Sequence, residues 1–410
     1  MESKEEIFVK NKFKEYYLKN NVHAPERVIN REFGIGVFKR KIVSRHLNFI
    51  SEKNLNDYLK NYVPLYISYS LASYKYPDRQ PMGKKEFVQA DMVFEFDADM
   101  LETPCKKTHD SWMCKKCEAN GMGNIKKCDD CGEYTSVEEW FCPECIGKTQ
   151  EETLKLLKVM QNDLGFEEKD LKANFSGNAG FHLHLQSDSI QNLIKEERIQ
   201  LVDYLSLHNL NFEMLNFLFN EKELTIPSNK HLFGIQLRLV NEIKRIISKE
   251  SPDFIAAHSN ISSKKARELS NEKEKIIESL DKGALFSLFS AAKKNSSFWS
   301  KFFELASQNI RFDIDRQTSV DIVKLIRLPD SLHGSTGLKA ASFPLSRLES
   351  FNAFKDSIVF SSNQTIKVFI NKAPKFILCE EEFGPFENEE RELPEKAALY
   401  LVANGKATLT

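Results

Sequence analysis

The chain has 410 residues, 41% hydrophobic and 29% charged, and its 58 Lys and Arg nearly balance 59 Asp and Glu for a net charge of −1. That length supports two or three modules with real cores. The 31 Phe exclude a mainly disordered chain, no apolar run reaches the length of a membrane span, and the polar start Met1-Glu2-Ser3-Lys4-Glu5-Glu6 excludes a signal peptide.

The near-neutral balance excludes a uniformly basic nucleic-acid binder, but it conceals an asymmetry. Residues 1–90 hold 17 Lys and Arg against 10 Asp and Glu, a local charge of +7 suited to a nucleic-acid backbone. Within that lobe, helical spacing fills the first 30 residues up to Pro25. Residues 33–45 alternate around Gly34 and Gly36, which predicts a hairpin. Residues 53–76 mix a helix with a tyrosine-rich stretch.

Residues 89–98 predict a strong strand. Along Val93-Phe94-Glu95-Phe96-Asp97-Ala98-Asp99, alternation puts Glu95, Asp97 and Asp99 on one face and the two Phe on the other. The Phe face belongs in a core. The carboxylates repel and raise one another's pKa unless a cation compensates them. Oxygen ligands suit Mg²⁺ or Mn²⁺, and such an ion calls for a third carboxylate and substrate phosphates.

Seven of the eight Cys lie between Cys105 and Cys145. Without a secretion signal a reducing, cytoplasmic setting is expected, where clustered thiols bind metal rather than pair. Cys105, His109, Cys114, Cys117, Cys128, Cys131, Cys142 and Cys145 make eight ligands, enough for two closed Zn²⁺ sites. A nested arrangement joins Cys114, Cys117, Cys128 and Cys131, with Cys105, His109, Cys142 and Cys145 closing the base. A sequential arrangement joins the first four and then the last four. Cys379 stands alone in an apolar stretch and reads as core.

Residues 148–164 predict an amphipathic helix ending at Gly165. Residues 173–186 predict a second strand region, turning at Ser176-Gly177-Asn178, with His182 and His184 sharing a face. The glycine-bearing loop could set N–H groups and a hydroxyl against a phosphate. Residues 189–308 are helical and charged. Strand and turn signals return from 311. There Asp313, Asp315 and Asp321 lie near Lys324, Arg327 and His333, the mixture of carboxylates and cations that phosphoryl transfer needs. The tail has eight Glu from Glu380 to Glu395, then an apolar run from Ala397 to Val402.

These blocks, in this order, resemble the catalytic small subunit of archaeal and eukaryotic DNA primases, the archaeal form more closely. The resemblance rests on Arg31-Glu32-Phe33-Gly34, Arg45-His46, the Pro64 to Pro77 tyrosines, the acidic strand and the Cys/His knuckle. It continues through Ser176-Gly177-Asn178 with Gly180 and His182, Arg327-Leu328-Pro329 and Ser331-Leu332-His333-Gly334, to Leu393-Pro394.

It implies an α+β fold: an RRM-like catalytic core of small mixed sheets flanked by helices, with an inserted zinc module and a helical subdomain. The core would occupy residues 1–103, 148–188 and 309–410, the zinc module 104–147 and the helical subdomain 189–308. It implies primer synthesis from nucleoside triphosphates on single-stranded DNA, beside a large subunit that carries an iron–sulfur domain. The implied metal-binding carboxylates are Glu95, Asp97 and Asp315, with Asp99 as an alternative to Glu95. The implied nucleotide contacts are Ser176, His182, Lys324, Arg327 and His333, with Arg45 for the initiating nucleotide. Two residues depart from the family pattern: Ala179 replaces an Arg and Ser335 a Lys. Weaker nucleotide binding is expected, compensated by Lys339 or Arg316. Loss of catalysis, leaving a nucleic-acid-binding subunit, and a repair-type primase-polymerase are the rival expectations.

Overall fold

The computed structural model describes residues 2–219, 224–259, 261–283, 292–314, 316–362 and 364–410. They fall into two compact units. The first contains residues 1–155, 167–198 and 314–410; the second contains 156–166 and 199–313.

The first unit opens with helix α1 (Lys4–Lys19), capped where the Glu6 N–H donates to Ser3 Oγ at 3.1 Å. It buries Val9, Phe13, Tyr16 and Tyr17. Strands β1 (Arg31–Val37) and β2 (Arg40–Leu47) form the expected hairpin, and helix α2 (Glu52–Tyr62) leads into β3 (Tyr66–Tyr74). The tyrosine-rich stretch becomes a strand because both its faces are covered: every residue of β3 is buried. Around β3 lies a five-stranded sheet that includes β1, β2, β4 (Phe87–Ala90) and the short strand Leu325–Arg327.

The second sheet is four-stranded. It holds β5 (Met92–Asp97), with two later strands joined by the Ser176 turn. Residues 89–98 were expected as one strand, but the sheets divide the segment: β4 pairs with β3, and β5 pairs with strand Gly180–Leu185. Phe94, Phe96, Phe175 and Phe181 are almost wholly buried on this sheet. Each such ring stabilises the fold by roughly 1.5–3 kcal/mol. Every pairing among the described residues is antiparallel, where mixed sheets were expected. Hairpin turns such as those at Phe38-Lys39 and Ser176–Ala179 reverse the chain within a few residues. The α+β class and the small sheets are as expected.

The zinc module has its own three-stranded sheet, β6 (Ser111–Cys114), β7 (Asn120–Met122) and β8 (Thr135–Glu138). After it comes a long helix, Pro143–Asn162. The carboxyl-terminal sheet centres on Thr365–Ala373 and Phe386–Pro394, which carries much of the Glu-rich segment. The apolar tail is the buried face of helix Glu395–Ala403. In the second unit, helices dominate and pack around Leu239, Ile243, Ile246, Trp299, Phe302 and Phe303.

Candidate active site and metal centres

The eight expected Cys/His ligands lie in two groups, each drawn within 4.8 Å: Cys105, His109, Cys142 and Cys145, and Cys114, Cys117, Cys128 and Cys131. This is the nested grouping. The sheet explains it, because β6 and β8 run antiparallel: Cys105 and His109 meet Cys142 and Cys145 at one end, and the two inner CxxC pairs meet at the other. Sulfur separations are 3.5 Å for Cys114–Cys131, 3.6 Å for Cys117–Cys128 and 3.4 Å for Cys105–Cys145. Four sulfurs about 2.3 Å from a tetrahedral ion lie about 3.8 Å apart, so both groups fit one ion each. In the base group, His109 Nε2 lies 3.4 Å from Cys145 Sγ, while its Nδ1 meets Asp110 Oδ1 at 2.8 Å. Asp110 is fully buried and also accepts the Trp140 N–H at 3.0 Å. That bond aims Nε2 at the ligand cluster.

The acidic strand ends at Asp97, and the chain turns there with the Met100 N–H on the Asp97 carbonyl. Asp99 therefore lies exposed in the turn instead of continuing the Glu95/Asp97 face. Strand Gly180–Leu185 places His182 opposite Glu95 and Gly180 opposite Asp97. A Cβ at Gly180 would come within 1.8 Å of the Phe96 carbonyl oxygen, so this position excludes any side chain.

Asp97 Oδ1 is buried and has no hydrogen-bond partner. Burial, then Glu95, then Asp99 push its carboxyl up to about 7. At Glu95, Lys324 Nζ lies 2.5 Å from Oε2 and His182 Nε2 lies 3.7 Å from Oε1. A buried carboxylate oxygen without a partner, beside a second carboxylate, fits the donor set of a hard divalent ion. Asp315 lies outside the described residues. Helix Arg316–Val320, which follows it in sequence, packs on β5.

The phosphate-facing candidates converge around Tyr66. Arg327 holds its guanidinium 4.8 Å from the Tyr66 ring centre, and His333 meets the same ring edge-on at 5.4 Å. The Ser335 N–H donates to His333 Nδ1 at 3.3 Å, which leaves the ring proton on Nε2. Burial, then the Arg327 and Lys41 charges, hold His333 well below its ordinary value, so it is a neutral donor and not the cation that was expected. Burial and the Lys324 and Arg327 charges likewise lower His182 to about 3. Arg327 is lowered by burial to about 10 and keeps its charge.

The Ser176 loop lies against the His333 turn. Gly177, at φ +83°, leaves no room for a side chain beside His333 Cβ, and Thr336 Oγ1 donates to the Gly177 carbonyl at 2.6 Å. Ser176 Oγ accepts the Asn178 and Gly180 N–H groups at 3.3 and 3.1 Å, so it braces the loop. Arg45 lies on β2. Its Nε donates to Glu32 Oε1 at 3.0 Å and its Nη2 to the Val323 carbonyl at 3.2 Å, next to Lys324. Glu32 is fully buried and also lies 3.1 Å from His46 and 3.2 Å from Lys85.

Sequence reasoning gave no role to Glu32, although it stood in a quoted motif, and overlooked Lys41. Of the two expected compensating cations, Lys339 points to Asp330 at 3.7 Å, and the Arg316 side chain lies outside the description. Ala179 is buried, and Ser335 Oγ is 2.5 Å from the Tyr66 hydroxyl. His184 is held by Asn174 at 2.7 Å, in a structural bond. No helix among the described residues is long and apolar enough to cross a membrane.

The chain is similar to known proteins along nearly its whole length. The family model for the DNA primase small subunit matches residues 128–343. The DNA primase small subunit PriS of Nitrosopumilus maritimus is 30% identical over 407 residues, covering 98% of each chain. That of Methanococcoides burtonii is 28% identical, covering 99% of each, and that of Cenarchaeum symbiosum is 26% identical over the whole of both chains. With a family match across more than half its length and a 30% identical relative along nearly all of it, the chain belongs to the DNA primase small subunit family.

Proposed function

We propose that this chain is the nucleotidyltransferase of a primase, extending a short primer from nucleoside triphosphates on a single-stranded DNA template. Glu95, Asp97 and Asp315 would hold Mg²⁺ or Mn²⁺, and the observation that carries this is the unpartnered buried oxygen of Asp97 beside Glu95. Bound there, a divalent ion supplies positive charge to the triphosphate and acidifies the attacking 3′-hydroxyl. The chain's own groups do the positioning. Arg327 and Lys324 offer fixed cations to phosphate oxygens, His333 offers a neutral Nε2–H, and the Ser176 loop sets the floor beneath them. Lys324 also neutralises Glu95 before substrate arrives. Arg45, anchored on buried Glu32, is the candidate for the initiating nucleotide.

The two Cys/His groups hold structural Zn²⁺, since four protein ligands leave no open position for chemistry. The basic first 90 residues serve the template strand, and a separate large subunit brings the iron–sulfur domain. The setting is a reducing cytoplasm.

The test is primer synthesis on single-stranded template with Mg²⁺ or Mn²⁺, with and without the large subunit. Asp97→Ala combined with Asp315→Ala should abolish incorporation; activity near wild type sinks the assignment. Buried Ala179 and the Ser335–Tyr66 pair are the observations that favour a non-catalytic binding subunit. Incorporation by the wild type excludes that reading. Comparing initiation with extension of a supplied primer separates replication from a repair role.

A further inference from the structure

The β1–β2 hairpin is not regular. Val37 pairs with Arg40, Ile35 with Ser44 and Phe33 with Leu47. Between these pairs β2 carries extra residues twice. Lys41, Ile42 and Val43 stand opposite Gly36, and Arg45 and His46 stand opposite Gly34. His46 adopts φ +68°, a left-handed conformation costly for a residue with a side chain. Bulges of this kind bend a strand and re-aim its side chains.

The two glycines show where β2 goes. A Cβ at Gly36 would lie 2.3 Å from the carbonyl oxygens of both Arg40 and Lys41. A Cβ at Gly34 would meet Leu325 Cδ1 at 2.6 Å and Arg45 Cγ at 3.6 Å. At Gly36 the bulged strand itself occupies the space a side chain would need; at Gly34 Leu325 does, with Ser44 and Arg45 of the bulged strand beside it. Both glycine positions open on one face of β1, since they are two residues apart. On β3 the partners of Gly36 and Gly34 are Tyr66 and Ser68, and paired residues share a face. That face carries the Tyr66 ring with Arg327, His333 and Ser335. The second bulge thus delivers Arg45 to it, and the first folds the Lys41 backbone over it.

Lys41 is exposed and forms no ion pair among the described residues. Its charge nonetheless reaches the site, lowering the proton affinity of His333. The cations of the family pattern at positions 179 and 335 are replaced here. Ala179 offers none, Ser335 is tied to Tyr66 and Lys339 is turned to Asp330.

We propose that Lys41 binds the triphosphate of the incoming nucleotide, supplying the positive charge that Ala179 and Ser335 do not. The bulge opposite Gly36 is the device that places it. This rests on the reading of the site as a triphosphate-binding centre.

The test measures nucleotide kinetics during primer extension and, without turnover, binding of inorganic tripolyphosphate by calorimetry. Lys41→Ala should raise KM about tenfold, close to the loss of one phosphate–cation contact, with kcat within about twofold. It should weaken tripolyphosphate binding by a similar factor. Lys41→Arg should keep both values, and either Ala179→Arg or Ser335→Lys should restore them in the Lys41→Ala chain. An unchanged KM and unchanged tripolyphosphate binding overturn the proposal, as does a loss confined to kcat. Absence of incorporation by the wild type would count against the primase reading instead, while tripolyphosphate binding still scores Lys41. Because Lys41 is exposed, unchanged thermal unfolding of Lys41→Ala is expected and excludes misfolding as the cause.

Discussion

The zinc module and the acidic strand both gather groups able to ligate a metal, yet they pose opposite electrostatic problems. In the module, eight ligands from 41 consecutive residues meet in two tight clusters, one braced from behind by Asp110. On the strand, Glu95 is quieted by Lys324, while Asp97 is left with an unpartnered buried oxygen and a carboxyl pushed up to about 7. The first arrangement is closed and holds a fold together. The second has cations nearby and an unpartnered carboxylate oxygen at its centre, the kind of perturbed group that a substrate or ion can satisfy.

The largest expected effect tests the open half. Asp97→Asn keeps the shape of the side chain but removes its charge, and it should cut nucleotide incorporation by about a thousandfold or more. Its thermal stability should equal or exceed that of wild type, because a raised carboxyl gains nothing from ionising. Loss of folding instead would make Asp97 a structural residue and dissolve the contrast.

Next come the two halves of the module. Cys145→Ser should remove one Zn²⁺ of two and lower the melting temperature steeply. The base packs Trp140 against Phe376 and against Tyr400 of helix Glu395–Ala403. Cys117→Ser, on an exposed ligand, should also remove one ion but lower the melting temperature less. Metal content and thermal melts decide; equal losses would mean that the module behaves as one unit.

The pH dependence is smaller and has a definite sign. Asp97 ionises near pH 7 in the fold, against an ordinary carboxyl value of 3.8. The fold binds that proton more tightly than the unfolded chain does. Its contribution to stability is therefore full below about pH 4 and lost as pH rises through about 7. Melts of the metal-free protein should show this loss, Asp97→Asn should abolish it, and Mn²⁺ should raise the melting temperature at pH 8 but not at pH 5.

The smallest effects separate two lysines by their partners, Glu95 for Lys324 and Asp330 for Lys339. Lys324→Ala should raise KM by about tenfold, since it takes a cation from both Glu95 and the substrate. Lys339→Ala should change KM less than about twofold, because its partner is Asp330. A large effect at Lys339 would restore the compensation first expected of it.

The legible parts of the site were those carried by local pattern. Alternation in Phe94-Glu95-Phe96-Asp97 marked a core face and a charged face, and both are found as read. It failed at Asp99, because a strand's period says nothing of where the strand stops, and here a turn intervenes. The module's ligands were legible as a set; their spacing favoured the nested grouping but also allowed the sequential one. The pairing of β6 with β8 distinguishes them. His333 was read as a cation because a histidine's charge depends on burial, which the sequence does not print.

By itself, then, the sequence determined the kinds of groups present and their short-range order: carboxylates in alternation, paired thiols, cations beside turns, glycines where a strand must bend. Those follow from bonds and dihedral angles within a few residues. Only the tertiary structure decided which distant groups share a site, which lysine is paired and which free, and which titratable groups hold protons. These depend on solvent exclusion and on charges brought together from segments up to hundreds of residues apart. Lys41 shows the difference: one more surface lysine in the sequence, placed by a bulge opposite Gly36 on the face that gathers Arg327 and His333.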